Sequence, residues 1–501
     1  MIQPFDQTAV ARGADGIARY QTLPDSLLSM LRATVDRVPK AEALVELGGE
    51  RIAYKDMWDR AARVAGGLRD AGIQNGDRVA IRLANGTDWC LAFFGTLMAG
   101  AVVVPVNTRF SEAEVEYVIS DSGSRFTFLP GQALLEGKPF CVEHLTRPDL
   151  AAIFYTSGTT GFPKGAMTTH ECFLSNIETC YRISPLPRDR GARTLISVPL
   201  FHVTGCNSQL LPSCFGGGAT VIMPSFEVQA FLRAIAAERI DSLASVPAIY
   251  WYALNQPNFG EFDTKGVRWL SYGGAPTPPD LVARIVQAFP NARVGNGFGL
   301  TETSSVATFL PHEFAHIRPD SVGFGAPVVD LQLFELDAAS GVGELLVRGP
   351  NVVRGYWNKP EATAATFVEG WLHTGDLARL DSDGFVQIVD RKKDMVNRGG
   401  ENVYCVEVEN ALASHPSVFE SAVLGVPDSM MGEKVGAVVV LKPGQDVAAA
   451  EIRAFVSERI ADFKVPQFMV FRSDPLPRNP GGKILKGKLR KEVVWGDPSL
   501  S

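Results

Sequence analysis

The run Tyr155-Thr156-Ser157-Gly158-Thr159-Thr160-Gly161-Phe162-Pro163-Lys164-Gly165 mixes hydroxyls, glycines and one lysine directly after a predicted strand. Backbone N–H groups, hydroxyls and an ammonium arranged this way can wrap phosphate oxygens. The run departs from a Walker A loop, because Pro163 precedes the lysine where that motif has glycine, and Gly165 follows it instead of Ser or Thr. The chemistry it suggests is phosphate handling outside the P-loop NTPase arrangement.

Four later segments carry polar groups at positions that could complete such a site. Gly273-Gly274-Ala275-Pro276 is a turn after a strand-like stretch. Asn296-Gly297-Phe298-Gly299-Leu300-Thr301-Glu302 sets a hydroxyl and a carboxylate beside glycines that permit close approach, although alone it also fits a capped helix start. In His373-Thr374-Gly375-Asp376 an ionised aspartate can accept from two vicinal hydroxyls, as a solvated turn aspartate could also be placed. Pro477-Arg478-Asn479-Pro480-Gly481-Gly482-Lys483-Ile484 presents one lysine after a glycine pair, in a basic stretch that by itself reads as a solvated tail.

In composition and order these segments resemble the adenylate-forming superfamily of acyl-CoA synthetases, peptide-synthetase adenylation domains and luciferases, most closely bacterial fatty acid and aryl acid–CoA ligases. The resemblance runs from about Arg51 to Lys488. It implies that Thr156, Ser157, Gly158, Thr159, Thr160, Gly161 and Lys164 hold ATP phosphates. Gly273, Gly274, Ala275 and Pro276 would border the adenine and acyl group, together with Asn296, Gly297, Phe298 and Gly299. Thr301 would contact the α-phosphate, and Glu302 with Thr156 would hold Mg²⁺, a hard cation suited to oxygen ligands. Asp376 and Arg391 would take the ribose, and Lys483 would bridge substrate carboxylate and phosphate as the catalytic lysine. Where relatives usually carry Tyr this chain has Phe298, which keeps only a ring's stacking role.

The resemblance further implies a hinge at Lys393 and a coenzyme A channel at Arg398, Gly399, Gly400 and Glu401. Many relatives have Ser where Arg398 stands and Pro where Cys405 stands. His202, in Pro199-Leu200-Phe201-His202-Val203-Thr204-Gly205, resembles the acyl gate of the fatty acyl and aryl branch, though a core or cap histidine has the same local sequence. Amino-acid-activating relatives generally place an aspartate there, so an amino-acid substrate is disfavoured. His202, Val203, Thr204, Asn207, Val246, Tyr250 and Gly274 are the expected acyl-pocket residues. The implied reaction joins a carboxylic acid, fatty acyl first and aryl or alicyclic next, to AMP and then to coenzyme A. A carrier-protein acceptor, a nucleotide-binding sensor without turnover and a luciferase-like oxygenase are the competing readings.

The elements that must position these residues are legible as periodicity. Helical segments at 57–71 and 112–120 alternate with β-rich runs at 78–83 and 101–106, and the alternation resumes between residues 150 and 310. That is the pattern of βα units around largely parallel sheets. After residue 320 strand-like pieces dominate, with a turn at Asp381-Ser382-Asp383-Gly384, and a new α+β unit begins beyond Arg391. The expected fold is α/β: an N-terminal domain, 1–391, of two layered α/β sheets plus a β subdomain, and a small mobile α+β domain, 392–501.

The 501 residues are 46% apolar, enough for several cores, and Lys+Arg 48 against Asp+Glu 55 gives a net charge of −7. No broad cationic field for nucleic acid is present. Seven scattered cysteines without a C-x-x-C pair read as reduced thiols. The apolar stretch 91–106 is interrupted by Gly95, Gly100 and Pro105 and reads as a buried helix entering a buried strand rather than a membrane span. A cytoplasmic location and, by resemblance, a homodimer are the remaining expectations.

Overall fold

A computed structural model describes residues 2–156, 163–478 and 484–496. Its chain forms two compact units, one of Met1–Gly274, Asp280–Leu331 and Val347–His373, the other of Ala275–Pro279, Gln332–Leu346 and Thr374–Ser501.

Among the described residues, the first unit contains two α/β sheets. One has nine strands in the order 324–325, 308–310, 293–298, 269–273, 242–245, 194–196, 220–222, 42–46 and 51–53. Its centre is parallel, and antiparallel pairs close both edges. The other has five strands in the order 124–128, 78–81, 102–105, 150–156 and 164–169, parallel except for the last hairpin.

The stretch read as a buried helix entering a buried strand is helix Thr87–Met98 followed by strand Val102–Pro105. Eleven of the helix's twelve residues are buried, so its apolar side chains serve neighbours on every side and show little amphipathic period. Trp89 stacks on Phe93 within a core cluster that also takes in helix Leu27–Arg37 and strand residues of both sheets.

Local signals start several helices. Ser111 and Glu114 form a reciprocal capping box at helix Glu112–Ser122, which Gly123 ends in the left-handed conformation. Strand Lys164–Thr169 runs directly into helix His170–Ile183 because the Thr169 hydroxyl accepts from the Cys172 amide at the N-cap.

In the second unit, strands 401–403, 396–398, 432–441 and 418–428 form a sheet, with Phe468–Arg472 added parallel to 432–441. Helices Cys405–Ala413 and Ala449–Ser457 bury Val408, Leu412, Ile452 and Val456 against it. Strand 386–391 pairs antiparallel with residues 376–380, in the β-rich region expected after residue 320. The α/β class, the two sheets and the C-terminal α+β arrangement agree with the sequence reading. All seven cysteines are free thiols, six of them buried. No helix among the described residues is long and apolar enough to cross a membrane.

Candidate functional site

The phosphate-loop candidates begin on a hairpin. Thr156 ends strand Leu150–Thr156 and is the register partner of Lys164, which opens the antiparallel strand Lys164–Thr169. Ser157, Gly158, Thr159, Thr160 and Gly161 lie outside the described residues, as does Lys483. Arg478 and Ile484, on either side of the segment that carries Lys483, form an antiparallel bridge, and Arg478 is ion-paired with Glu420.

Beyond Gly165 the hairpin is extended by residues 353–357. Trp357 N–H donates to the Gly165 carbonyl at 2.8 Å, and Met167 N–H to the Gly355 carbonyl at 3.0 Å. Val353 N–H donates to the Glu302 carbonyl at 2.9 Å, so the same segment also touches the Thr301–Thr303 turn. The buried Tyr356 occupies the junction: its hydroxyl donates to Glu302 Oε1 at 2.7 Å, and the Lys164 ammonium lies 5.1 Å from its ring centroid. Burial, then the Glu302 charge and its hydrogen bond, push the Tyr356 phenol far above its ordinary range, so it remains a donor.

Tyr356 is absent from the sequence-derived site. The available signal was the pair Tyr356-Trp357 after Gly355, but its partners lie tens to nearly two hundred residues away and no periodicity links them.

The Gly273 and Asn296–Gly299 segments end adjacent parallel strands, with Tyr272 opposite Asn296 and Gly273 opposite Gly297. Asn296 gives its amide to the Ser321 carbonyl at 3.1 Å and so helps to build the loop. At Gly299 a Cβ would sit 1.4 Å from the Ser305 carbonyl oxygen, so no larger residue fits the turn. Thr303 Oγ1 then accepts from Leu300 N–H and donates within the turn, leaving Thr301 and Glu302 at partly exposed positions.

The acyl-pocket candidates separate into two groups. His202 precedes a helical turn, and its ring lies 4.7 Å from that of Phe201. Its Nε2 is enclosed and has no hydrogen-bond partner among the described residues. Burial first, and Arg109 second, lower its pKa to about 4, so the imidazole is neutral at pH 7 and cannot pair with a substrate ammonium as a carboxylate would. Val203 is buried, Thr204 is partly exposed, and Val246 borders Gly274, where a Cβ would stand 3.8 Å from Val246 Cγ1.

Asn207 and Tyr250 are framework residues. Asn207, in the π-helical turn Cys206–Leu210, is fully buried and donates to both the carbonyl and hydroxyl oxygens of Ser304. Tyr250 is fully buried and donates to the Ser271 carbonyl at 2.9 Å. Its ring meets Phe289 edge-on. Their types suited a mixed pocket wall; tertiary contacts take the Asn207 Nδ2 and the Tyr250 hydroxyl, while Asn207 Oδ1 is enclosed without a partner among the described residues.

Another residue that the sequence did not single out, Asn176 on helix His170–Ile183, joins these pieces. Its Nδ2 donates to the Asn207 carbonyl at 2.8 Å, and its Oδ1 accepts from Val306 N–H at 3.0 Å.

In the second unit, Asp376 and Arg391 face each other across paired strands. Lys393, two residues on, is exposed, its pKa lowered first by partial desolvation of the ammonium. Next to it, Arg490 lies 3.3 Å from Asp394 and Cys405 Sγ donates to the Asp394 carbonyl. Asp390 accepts from the Arg391 and Cys405 amides, and burial raises its pKa to about 6 against the opposing effect of Lys486. Arg398-Gly399-Gly400-Glu401 is a tight hairpin turn with positive φ at both glycines, as a two-residue type I′ connection requires. Arg398 Nη1 lies 3.9 Å from Glu401, while its Nε is enclosed without a partner among the described residues.

Among the described residues, no group of three or more His, Cys, Asp or Glu side chains could hold a metal. A single carboxylate such as Glu302 is what Mg²⁺ needs when it arrives on phosphate oxygens and keeps its waters.

Comparison with known proteins identifies the family and its fold. Residues 31–145 and 132–357 match the AMP-binding enzyme family, and residues 407–483 match the AMP-binding enzyme C-terminal domain. A feruloyl-CoA synthase from Amycolatopsis is 36% identical over 90% of this chain and 96% of its own length. A long-chain-fatty-acid–CoA ligase from Mycobacterium tuberculosis is 34% identical over 92% of this chain and 97% of its own. The solved o-succinylbenzoate coenzyme A synthetase of Bacillus subtilis, in complex with ATP and magnesium ion, superposes with a TM-score of 0.84 at 29% identity. That alignment covers 94% of this chain and all of the other. This chain belongs to the AMP-binding enzyme family, the adenylate-forming enzymes that include these acid–CoA ligases.

Proposed function

We propose that the protein is an ATP-dependent acid–CoA ligase and that its acid is a fatty acid. The observation that carries the ligase reading is the joining of Lys164 and Glu302, distant in sequence, through one buried tyrosine. A cation and a carboxylate held this way serve a triphosphate: Lys164 reaches phosphate oxygens and Glu302 holds the divalent cation that they carry.

In the first step a carboxylate oxygen attacks the α-phosphorus, a new O–P bond forms, and the bond to the leaving pyrophosphate breaks. Lys483, Lys164 and Thr301 supply donors where negative charge builds up. Mg²⁺, when bound through Glu302 and Thr156, offsets phosphate charge. Asp376 and Arg391 hold the ribose. In the second step the thiol sulfur of coenzyme A attacks the acyl carbon, the C–O bond to AMP breaks, and the thiol proton leaves to solvent.

One placement of Lys483 does not serve both steps, because the thiol needs the carbonyl that the lysine first approaches. The C-terminal domain, 392–501, turns about Lys393 between the steps, and the Arg398–Glu401 hairpin then borders the pantetheine arm.

His202 supports an uncharged acyl group, because a neutral, enclosed imidazole offers no pairing charge. An aryl acid is the second reading, favoured by the 36% identity to a feruloyl-CoA synthase. A carrier-protein thiol is the alternative acceptor, kept open by Arg398 at a position where many relatives have Ser. Competing fatty and hydroxycinnamic acids for the enzyme, with coenzyme A or a carrier protein as acceptor, separates these. A higher kcat/KM for fatty acids with coenzyme A supports the proposal, and preference for aryl acids or for the carrier replaces it. The enzyme acts in the cytoplasm, as a homodimer.

A further inference from the structure

The mechanism assigns Lys164 and Glu302 to the triphosphate and its cation, yet neither stands alone. Tyr356 is buried, and its backbone is fixed on both sides. Its N–H donates to Thr363 Oγ1 at 2.9 Å, it bridges Ala166 of the hairpin strand, and the neighbouring Trp357 Nε1 donates to the Asp121 carbonyl at 3.1 Å. Phe367 closes on the ring edge-on at 5.6 Å between centroids. The ring therefore has little rotational freedom, and its hydroxyl direction is set by the fold. A core tyrosine serving only packing would satisfy its hydroxyl on a carbonyl, as Tyr250 does. Tyr356 instead spends it on the partly exposed Glu302 carboxylate and offers its ring face to an ammonium.

We propose that Tyr356 is a positioning residue for adenylation, orienting Glu302 toward the nucleotide-borne cation and holding Lys164 over its ring until phosphate replaces it. The inference rests on the nucleotide reading of this site but not on the identity of the acid. The hydroxyl engages Oε1 and leaves the second carboxylate oxygen for the cation. The ring is a weak site for the ammonium, so Lys164 stays near its working position and is surrendered to phosphate at small cost.

The test is Mn²⁺ binding, followed by electron paramagnetic resonance, to the full-length protein saturated with α,β-methylene-ATP, which cannot transfer its adenylyl group. Tyr356→Phe deletes only the hydroxyl and keeps the ring. It is expected to raise the half-saturating Mn²⁺ about tenfold, the effect of losing a hydrogen bond to a charged group, with the melting temperature little changed. Glu302→Gln, which keeps the tyrosine but weakens its acceptor, is expected to show a shift at least as large and keeps the test decisive should the phenylalanine variant fold poorly. In the double variant the tyrosine's effect should vanish, because it acts through Glu302. Tyr356→Leu, which also removes the ring, should add a rise in KM for ATP that Tyr356→Phe lacks. Unchanged Mn²⁺ affinity in Tyr356→Phe, or an equal loss with and without Glu302, overturns the proposal. If wild type activates no acid in any panel but Tyr356→Phe still weakens Mn²⁺ binding, the ligase reading falls and the positioning role stands.

Discussion

Asp376 and Arg391 form an ion pair at 2.9 Å between adjacent antiparallel strands, the aspartate almost wholly buried and the arginine partly exposed. These are the two residues assigned to the ribose, so the acceptor is already oriented before a nucleotide arrives. Arg391→Ala leaves a buried carboxylate without this partner and should cost about 1–3 kcal/mol, less than for a fully buried pair because the arginine meets solvent. Asp376→Asn should cost less stability but raise KM for ATP at least as much. Denaturant melts and ATP saturation curves of the two variants check the contrast.

Asn176 ties helix His170–Ile183 to Asn207 and Val306. Asn176→Ala strands a buried carbonyl and a partly buried N–H, an expected loss of about 2 kcal/mol. Because Asn207 in turn holds Ser304, beside Thr301 and Glu302, the variant should also lose kcat while it remains folded. Urea denaturation together with steady-state kinetics below the transition tests both parts.

Burial lowers the pKa of His170 and of His202 to about 4, from 6.5. The unfolded chain therefore binds more protons than the folded one between those values. The stability each neutral histidine contributes is full above pH 6.5 and is lost as pH falls toward 4, about 3 kcal/mol apiece. Asp390, raised to about 6 from 3.8, acts oppositely: its contribution is present below pH 3.8 and is lost as pH rises through 6. Two histidines against one aspartate give a net fall in stability from pH 6.5 to 4. His202→Phe should flatten that slope in melts taken across the range.

Lys393 lies two residues beyond the end of strand 386–391, where the amides of Asp394 and Met395 both donate to the Arg391 carbonyl. A proline at 393 leaves both bonds intact while it fixes the backbone torsion. Lys393→Pro should retain acid-dependent pyrophosphate release and lose thioester formation by a large factor. Equal loss of both steps sinks the alternation idea.

The sequence made the parts with local signatures readable. Helix Thr87–Met98 and the strand after it follow from one apolar run. The pairing of Gly273 with Gly297 and of Asp376 with Arg391 was implied only by the order of motifs, since register depends on tertiary pairing. Tyr356 and Asn176 were not readable at all, because each acts through side-chain contacts between residues far apart in the chain. Asn207 and Tyr250 carried pocket-like residue types, but partners distant in sequence claim the Asn207 amide donor and the Tyr250 hydroxyl. Residue type gives chemistry a side chain can do, and the contacts it makes decide which of it is used.

The most direct test of the account is the product balance of a single reaction. Purified protein is incubated with ATP, Mg²⁺, coenzyme A and a fatty acid, and AMP, pyrophosphate and acyl-CoA are quantified together, beside a Lys483→Ala variant. The account predicts equal amounts of the three products from wild type and a loss of at least a hundredfold in the variant, on the order of one transition-state donor removed. Nucleotide turnover that yields no thioester, or an unimpaired Lys483→Ala, would contradict it.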